Sequence, residues 1–254
     1  MKHILLKLFP VWVLVCVLLS CAKQNTLHPP AANLTLINAV VGSTPSLVTN
    51  FSGATDPITW YNSALKLVYG TVGSANQLAS YSGEQKLAIY RFPDTTAHST
   101  PLFNLTLDLA AGSIHTLFLA GTVTAPDTLF TTDIPPYHPP SDSSMGMRFV
   151  NLMPGSAPVS VNITGNANGS EVSSLSFKGI TDFKNYPATA AVSSYTFEFR
   201  NAATGTLIGS LPVSGVNLLS NNQRRYRNLT LALLGLPGDP TTLKIILINT
   251  YTSF

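Results

Sequence analysis

The sequence predicts an all-β protein, two tandem immunoglobulin-like antiparallel β-sandwich domains after a lipoprotein signal peptide. Three observations carry that prediction. Apolar and polar residues alternate at period two in one segment after another, as in strands that bury one face. Turn signals such as "SG", "TG" and "PGDP" punctuate the chain, and no long 3.6-residue periodicity follows residue 20. Finally the chain repeats itself, with motifs returning at offsets of 109 to 114 residues, the mark of a duplicated unit.

Residues 1–20 form the first element. Lys2, His3 and Lys7 make a basic start, and Ile4 to Leu19 is apolar apart from Lys7 and Pro10. That is the n-region and h-region of a secretory signal, shorter than the about 20 apolar residues of a transmembrane helix. "LLSC", Leu18 to Cys21, resembles the bacterial lipobox, in which an aliphatic and a small residue precede a cysteine. Leu19 is bulkier than the commonest choice at its position. The resemblance implies cleavage before Cys21 and a diacylglycerol on its thiol. Cys16 then leaves with the signal, and the remaining chain has no thiol pair for a disulfide. The chain is expected to be anchored to a membrane through the lipid on Cys21 rather than to span it. Ala22 rather than Asp follows the cysteine, which points to the outer membrane. The absence of an acidic cluster in "AKQNTLH" favours the periplasmic face over the cell surface.

Residues 21–32 are the lipidated tether. Fully extended they reach only about 35–40 Å, so the first domain is expected to sit close to the membrane. Removal of residues 1–20 takes away two of the fourteen Lys and Arg and none of the eleven Asp and Glu, leaving a net charge of +1. Such a balance implies neither nucleic acid nor an acidic surface as partner.

The repeat defines the rest. Asn38, Gly42, Ser43 and Pro45 match Asn151, Gly155, Ser156 and Pro158 at an offset of 113. Gly70 aligns with Gly179 and Arg91 with Arg200 at 109, and "LFLAG" (Leu117 to Gly121) with "LALLG" (Leu231 to Gly235) at 114. The first sandwich is therefore placed at 33–133, a divergent copy, and the second at 145–254. Between them 134–144, "IPPYHPPSDSS", is a Pro-rich linker that favours polyproline II, a semi-rigid spacer. Each copy is read as about seven strands and as its own folding unit. Val159, Val161 and Ile163 alternate with polar residues, as do Leu105, Leu107 and Leu109, and Tyr195, Phe197 and Phe199. "LKIILIN" (Leu243 to Asn249) is apolar on both faces and reads as a central strand. The alignment of Arg91 with Arg200 sets Leu87 and Ile89 against Thr196 and Glu198, and a one-residue slip would exchange the faces. That register stays open.

The second copy also resembles a known family. "RFVNLMPGSAPVSVNITG", "NYPATAAVSSYTFEF" and "NLTLALLGLPGDPTTLKIILI" are similar to the bacterial family catalogued as domain of unknown function 4397. Tyr186, Pro187, Ala188 and Tyr195 keep its tyrosine-proline pattern, whereas the glycine turn is stretched. The resemblance implies a secreted or lipid-anchored β-sandwich, and it brings no catalytic residues.

Chemistry is hard to find in the chain. No Gly-x-Ser-x-Gly, phosphate loop or His-Glu-x-x-His occurs, and no cofactor or metal is implied. Ser63 to Lys66 has the Ser-x-x-Lys form of penicillin-recognising enzymes, but it opens a strand rather than a helix and lacks the companion motifs. His138, in the proline linker, reads as a solvated loop histidine. Glu198 reads as a residue of a wet strand face, so no carboxylate pair suits glycoside hydrolysis. Two features suit binding. Trp60 and Tyr61, in "TDPITWYNS", are an aromatic pair able to stack on a sugar ring, or else a plug beneath their own loop. Arg224, Arg225 and Arg227, in "RRYR", form a basic cluster able to grip an anionic partner, or else a solvated hairpin. The sequence thus points to a non-catalytic structural or interaction module of the cell envelope, with an envelope protein or a glycan as partner. The alternative is a carbohydrate- or surface-binding adhesin using the aromatic loop.

Overall fold

The computed structural model describes residues 30–51, 64–94, 98–139, 141–218 and 224–251. The first repeat forms β1 (Ala31–Asn38), β2 (Leu47–Asn50), β3 (Lys66–Leu67), β4 (Gln77–Tyr81), β5 (Gly83–Arg91), β6 (Phe103–Leu109), β7 (Ile114–Thr122) and β8 (Ala125–Thr132). The second forms β9 (Ser144–Leu152), β10 (Val159–Ile163), β11 (Val172–Leu175), β12 (Lys184–Pro187), β13 (Ser194–Asn201), β14 (Leu207–Ser214), β15 (Asn228–Leu234) and β16 (Lys244–Tyr251). Each repeat is two four-stranded sheets, ordered β4-β1-β7-β8 and β3-β2-β5-β6, then β12-β9-β15-β16 and β11-β10-β13-β14. The tandem β-sandwich forms, with eight strands per copy among the described residues instead of about seven. Two pairs, β1 with β7 and β9 with β15, run parallel.

Period-two alternation fills two cores. Leu34, Leu36, Leu87, Ile89, Leu107 and Leu117 pack inside the first sandwich. Phe149, Val159, Val161, Phe197, Phe199 and Leu231 pack inside the second. The repeated Asn and Ser have a structural cause. Asn38 Nδ2 donates to Ser43 Oγ (3.0 Å) and to the Leu67 carbonyl (2.9 Å), and its Oδ1 accepts from the Val40 amide (3.0 Å). Asn151 does the same with Ser156 Oγ (3.1 Å), the Leu175 carbonyl (3.1 Å) and the Met153 amide (3.0 Å). Both asparagines are fully buried, and each holds a turn and a neighbouring strand end together.

These bonds also correct the register. The amides of Gly70 and Lys178 donate to the carbonyls of Asn38 and Asn151, so Gly70 matches Lys178 rather than Gly179. Both sit at left-handed φ, 60° and 62°. Likewise Leu47 faces Leu67 and Arg91, while Val159 faces Leu175 and Asn201. Arg91 therefore matches Asn201, and Leu87 and Ile89 match Phe197 and Phe199. Chance identities of Gly and Arg mislead by one residue, and the demand that one face be buried decides the register.

A third apolar layer lies between the two sandwiches. Ile37, Ala39, Phe118 and Ala120 of β1 and β7, with their flank, pack against Val150, Leu152, Ala232, Leu234 and Ile248 of the second repeat. Each large side chain so buried contributes about 1.5–3 kcal/mol. Polar bonds rim this seam. Tyr69 Oη donates to the Thr242 carbonyl (2.7 Å), Lys244 Nζ to the Tyr69 carbonyl (2.9 Å), Gln77 Nε2 to the Asn249 carbonyl (2.7 Å) and Lys178 Nζ to Asp127 Oδ1 (2.8 Å). Burial, and then the Asp239 charge, push the Tyr69 phenol up to about 12. Arg148 Nη1 donates to Asp133 Oδ1 at 2.8 Å, with the carboxylate side chain wholly buried. The sandwiches are thus more than units strung on a spacer. β16 is also corrected: it is an edge strand, not a central one. Its two apolar faces serve different layers, Ile245 and Leu247 the second core and Ile246 and Ile248 the seam.

Candidate functional site

The four layers run their strands between the same two ends. At one end lie the starts of β1, β7, β9 and β15. The Ala31 carbonyl accepts from Gly112 N, the Ile114 carbonyl from Asp133 N, and the Ser144 carbonyl from Tyr226 N. At the other end lie the β9–β10 turn, the β13–β14 hairpin and the connection 235–243 between β15 and β16. There the second sandwich opens into two adjoining cavities of about 380 and 290 Å³. Met153, Thr206, Ile208 and Gly238 line both. Leu207, Leu236, Pro240 and Leu243 extend one, and Ser156, Asn201, Thr204 and Pro237 the other.

The groove exists because the second repeat carries "LPGDPTTL" where the first joins β7 to β8 through Val123 and Thr124 alone. Asp239 shapes that connection. Its Oδ1 accepts from the Thr241 amide (2.9 Å) and hydroxyl (2.6 Å), and its Oδ2 from the Thr242 hydroxyl (3.0 Å). These bonds, Thr241's first, hold its carboxyl below the ordinary value. Asn201 Oδ1 likewise accepts from the Ala203 and Thr204 amides (both 3.0 Å) and closes the facing hairpin. The result is an apolar floor with a threonine-rich rim, suited to holding a surface with an apolar face. Sequence lengths do not point to it, since the glycine and the "TL" are equally spaced in the two copies, Gly121 to Thr128 and Gly235 to Thr242. The longer connection shows only in the strand pairing, Ala120 with Asp127 against Leu234 with Lys244.

Of the residues singled out from sequence, Cys21, Trp60 and Tyr61 lie outside the described residues. The arginine cluster is at the end opposite the groove, and it is not a simple solvated hairpin. Arg225 is buried and its Nε donates to the Ala188 carbonyl at 2.7 Å. Burial lowers the Arg224 guanidinium's pKa from its ordinary value. His138 is corrected as well: it is buried, not solvated. Its Nε2 faces Asn228 Oδ1 (3.1 Å) and its Nδ1 faces Ser144 Oγ (3.0 Å), and Ser144 donates to Asp142 Oδ2 (2.7 Å). A catalytic triad places serine and carboxylate on opposite imidazole nitrogens. Here both lie on the Nδ1 side, so the cluster pins the linker to β9 and β15. A second pair, Ser113 and His115, is 2.6 Å apart. The Ser113 hydroxyl donates to the Ala110 carbonyl, so its oxygen accepts from the imidazole and no proton is drawn from it.

Glu198 is buried rather than wet. The β10–β11 loop folds over this face, Asn168 Oδ1 accepting from Ser160 Oγ at 2.7 Å. Arg200 Nε (2.9 Å), Thr164 Oγ1 (2.8 Å) and Asn162 Nδ2 (2.7 Å) donate to its carboxylate. These donors, Arg200's first and Thr164's next, hold its pKa below the ordinary 4.5. Among the described residues no group of three or more His, Cys, Asp or Glu is placed to hold a metal ion.

No family model and no curated protein matches the chain. Among solved structures, one described as "Alpha-glucan binding by a streptococcal virulence factor" aligns with 89% of this chain and 100% of that chain, at 9% identity and a TM-score of 0.28. A likeness that distant carries no argument about function.

Proposed function

We propose that this chain is a non-catalytic lipoprotein of the bacterial outer membrane, a structural or interaction module of the cell envelope whose partner is an envelope protein or a glycan. The observation that supports it best is the polarity of a single four-layer body. The chain enters β1 from Pro30 at one end, and the groove opens at the other. A lipid on Cys21 and a tether of at most about 35–40 Å would hold the first end at the bilayer and turn the groove away from it. A body stiffened by a third apolar layer suits the task of holding a contact at a fixed distance from the membrane. The buried ionic and imidazole groups described above are each spent on joining strands, loops or sandwiches, which fits a module that performs no chemistry.

Membrane fractionation of two variants tests the reading. Cys21→Ala is expected to leave an unprocessed or soluble chain, and Cys16→Ala to behave as wild type. Outer-membrane recovery of Cys21→Ala at the wild-type level would overturn the anchored reading.

A further inference from the structure

Large apolar side chains stand exposed unevenly on this body. Tyr81 is 65% exposed, Ile134 86%, Tyr137 82% and Leu218 45%, and all four lie at the end where β1 begins. Tyr81 pairs with Ala31 across β4 and β1. Ile134 and Tyr137 follow Asp133, whose amide bonds the first residue of β7. Leu218 lies just past Val216, whose amide bonds the Ser193 carbonyl ahead of β13. The far end exposes Val68 and Leu207 to a lesser degree, 46% and 49%.

Ile134 and Tyr137 are held out. Pro135, Pro136 and Pro139 confine themselves and the residues before them to extended or polyproline II backbone. With three residues per turn, positions 134 and 137 then share one side. The segment is pinned on both flanks: Asp133 by Arg148, Thr116 and Thr131, the Pro136 carbonyl by Asn228 Nδ2 (2.9 Å), and His138 by Ser144 and Asn228. It cannot fold these side chains back onto the sandwich. Charge at this end is mixed. Arg224 and Arg227 are half-buried, while Glu84 and Asp108 are exposed and Asp142 partly so. The surface is therefore suited to an apolar boundary with phosphate groups in reach, rather than to strong attraction by net charge.

We propose that this end seats on the interfacial region of a phospholipid bilayer, with Tyr81, Ile134, Tyr137 and Leu218 entering the boundary between headgroups and acyl chains. Tyrosine suits that depth, with an apolar ring and a polar tip. The proposal deepens the anchored reading. Twenty-nine residues precede Pro30, the first described residue, and they leave from this same end. A lipid on Cys21 makes the contact effectively intramolecular, so a small apolar surface suffices to orient the body.

Vesicle flotation tests it without the anchor. The chain from Ala22 onward keeps every described strand and is mixed with phosphatidylethanolamine–phosphatidylglycerol vesicles. The expected result is partitioning that falls on the order of tenfold in an Ile134→Ser, Tyr137→Ser double variant and is unchanged by Leu207→Ser at the far end. All these side chains are exposed, and matching melting curves check that each variant folds. Equal partitioning of wild type and double variant would overturn the proposal. So would dependence on Leu207, or a dimer that forms through Ile134 and Tyr137 while vesicles are ignored. Because no Cys21 is present, the outcome is independent of whether Cys21→Ala alters fractionation in cells.

Discussion

Asn151 is fully buried and its side-chain amide spans a turn and two strands, as Asn38 does in the first copy. Alanine there would strand the Met153 amide and the Leu175 carbonyl. Each buried polar group left unpaired costs about 1–3 kcal/mol, so Asn151→Ala should lower unfolding free energy by about 3 kcal/mol, measured by urea denaturation. Glu198 makes a pH prediction. Its folded-state pKa lies below 4.5, so its stabilising contribution is present above the unfolded value and is lost as pH falls through the folded one. Glu198→Gln should flatten the acid limb of a stability–pH curve below about pH 4.5; an unchanged limb would show that the carboxylate contributes nothing. The asparagines were legible in the sequence because both copies spell them at one spacing. The burial of Glu198 was not, because a strand's alternation says nothing of a loop that folds over its outer face.

At the scale of elements, the glycine ending "LFLAG" and "LALLG" is the plainest case of a local rule visible from sequence. Gly121 sits at φ 78°, and a Cβ there would stand 2.3 Å from the Ala125 carbonyl oxygen. Gly121→Ala should destabilise by at least about 1 kcal/mol and open the β7–β8 hairpin, with faster amide exchange at Val123 to Ala125. No change in exchange would contradict the geometry. β16 shows the limit of the same kind of reading. "LKIILIN" announces two buried faces, and a central strand is the usual reason. The reason here is a second sandwich lying on the sheet. Its partners in that layer, Ile37, Phe118 and Val150, are spread over three distant strands, and no local pattern says which sheet covers which. The groove has the same origin, since its walls come from three connections separated by up to ninety residues.

For the whole molecule, the sequence foretold two sandwiches and an intervening proline segment but not their fusion. A linker pinned through Asp133, Pro136 and His138 and a seam that buries Phe118 join the repeats into one body. The envelope reading depends on that: a stiff body with a membrane end and a far end is a spacer, whereas two loosely strung domains are not. Differential scanning calorimetry of the chain from Ala22 onward measures it most directly. Wild type should melt in one transition with calorimetric and van 't Hoff enthalpies in agreement, and Phe118→Asp, which puts a charge into the seam while leaving both cores untouched, should split it in two. Two separate wild-type transitions that Phe118→Asp leaves in place would contradict the account.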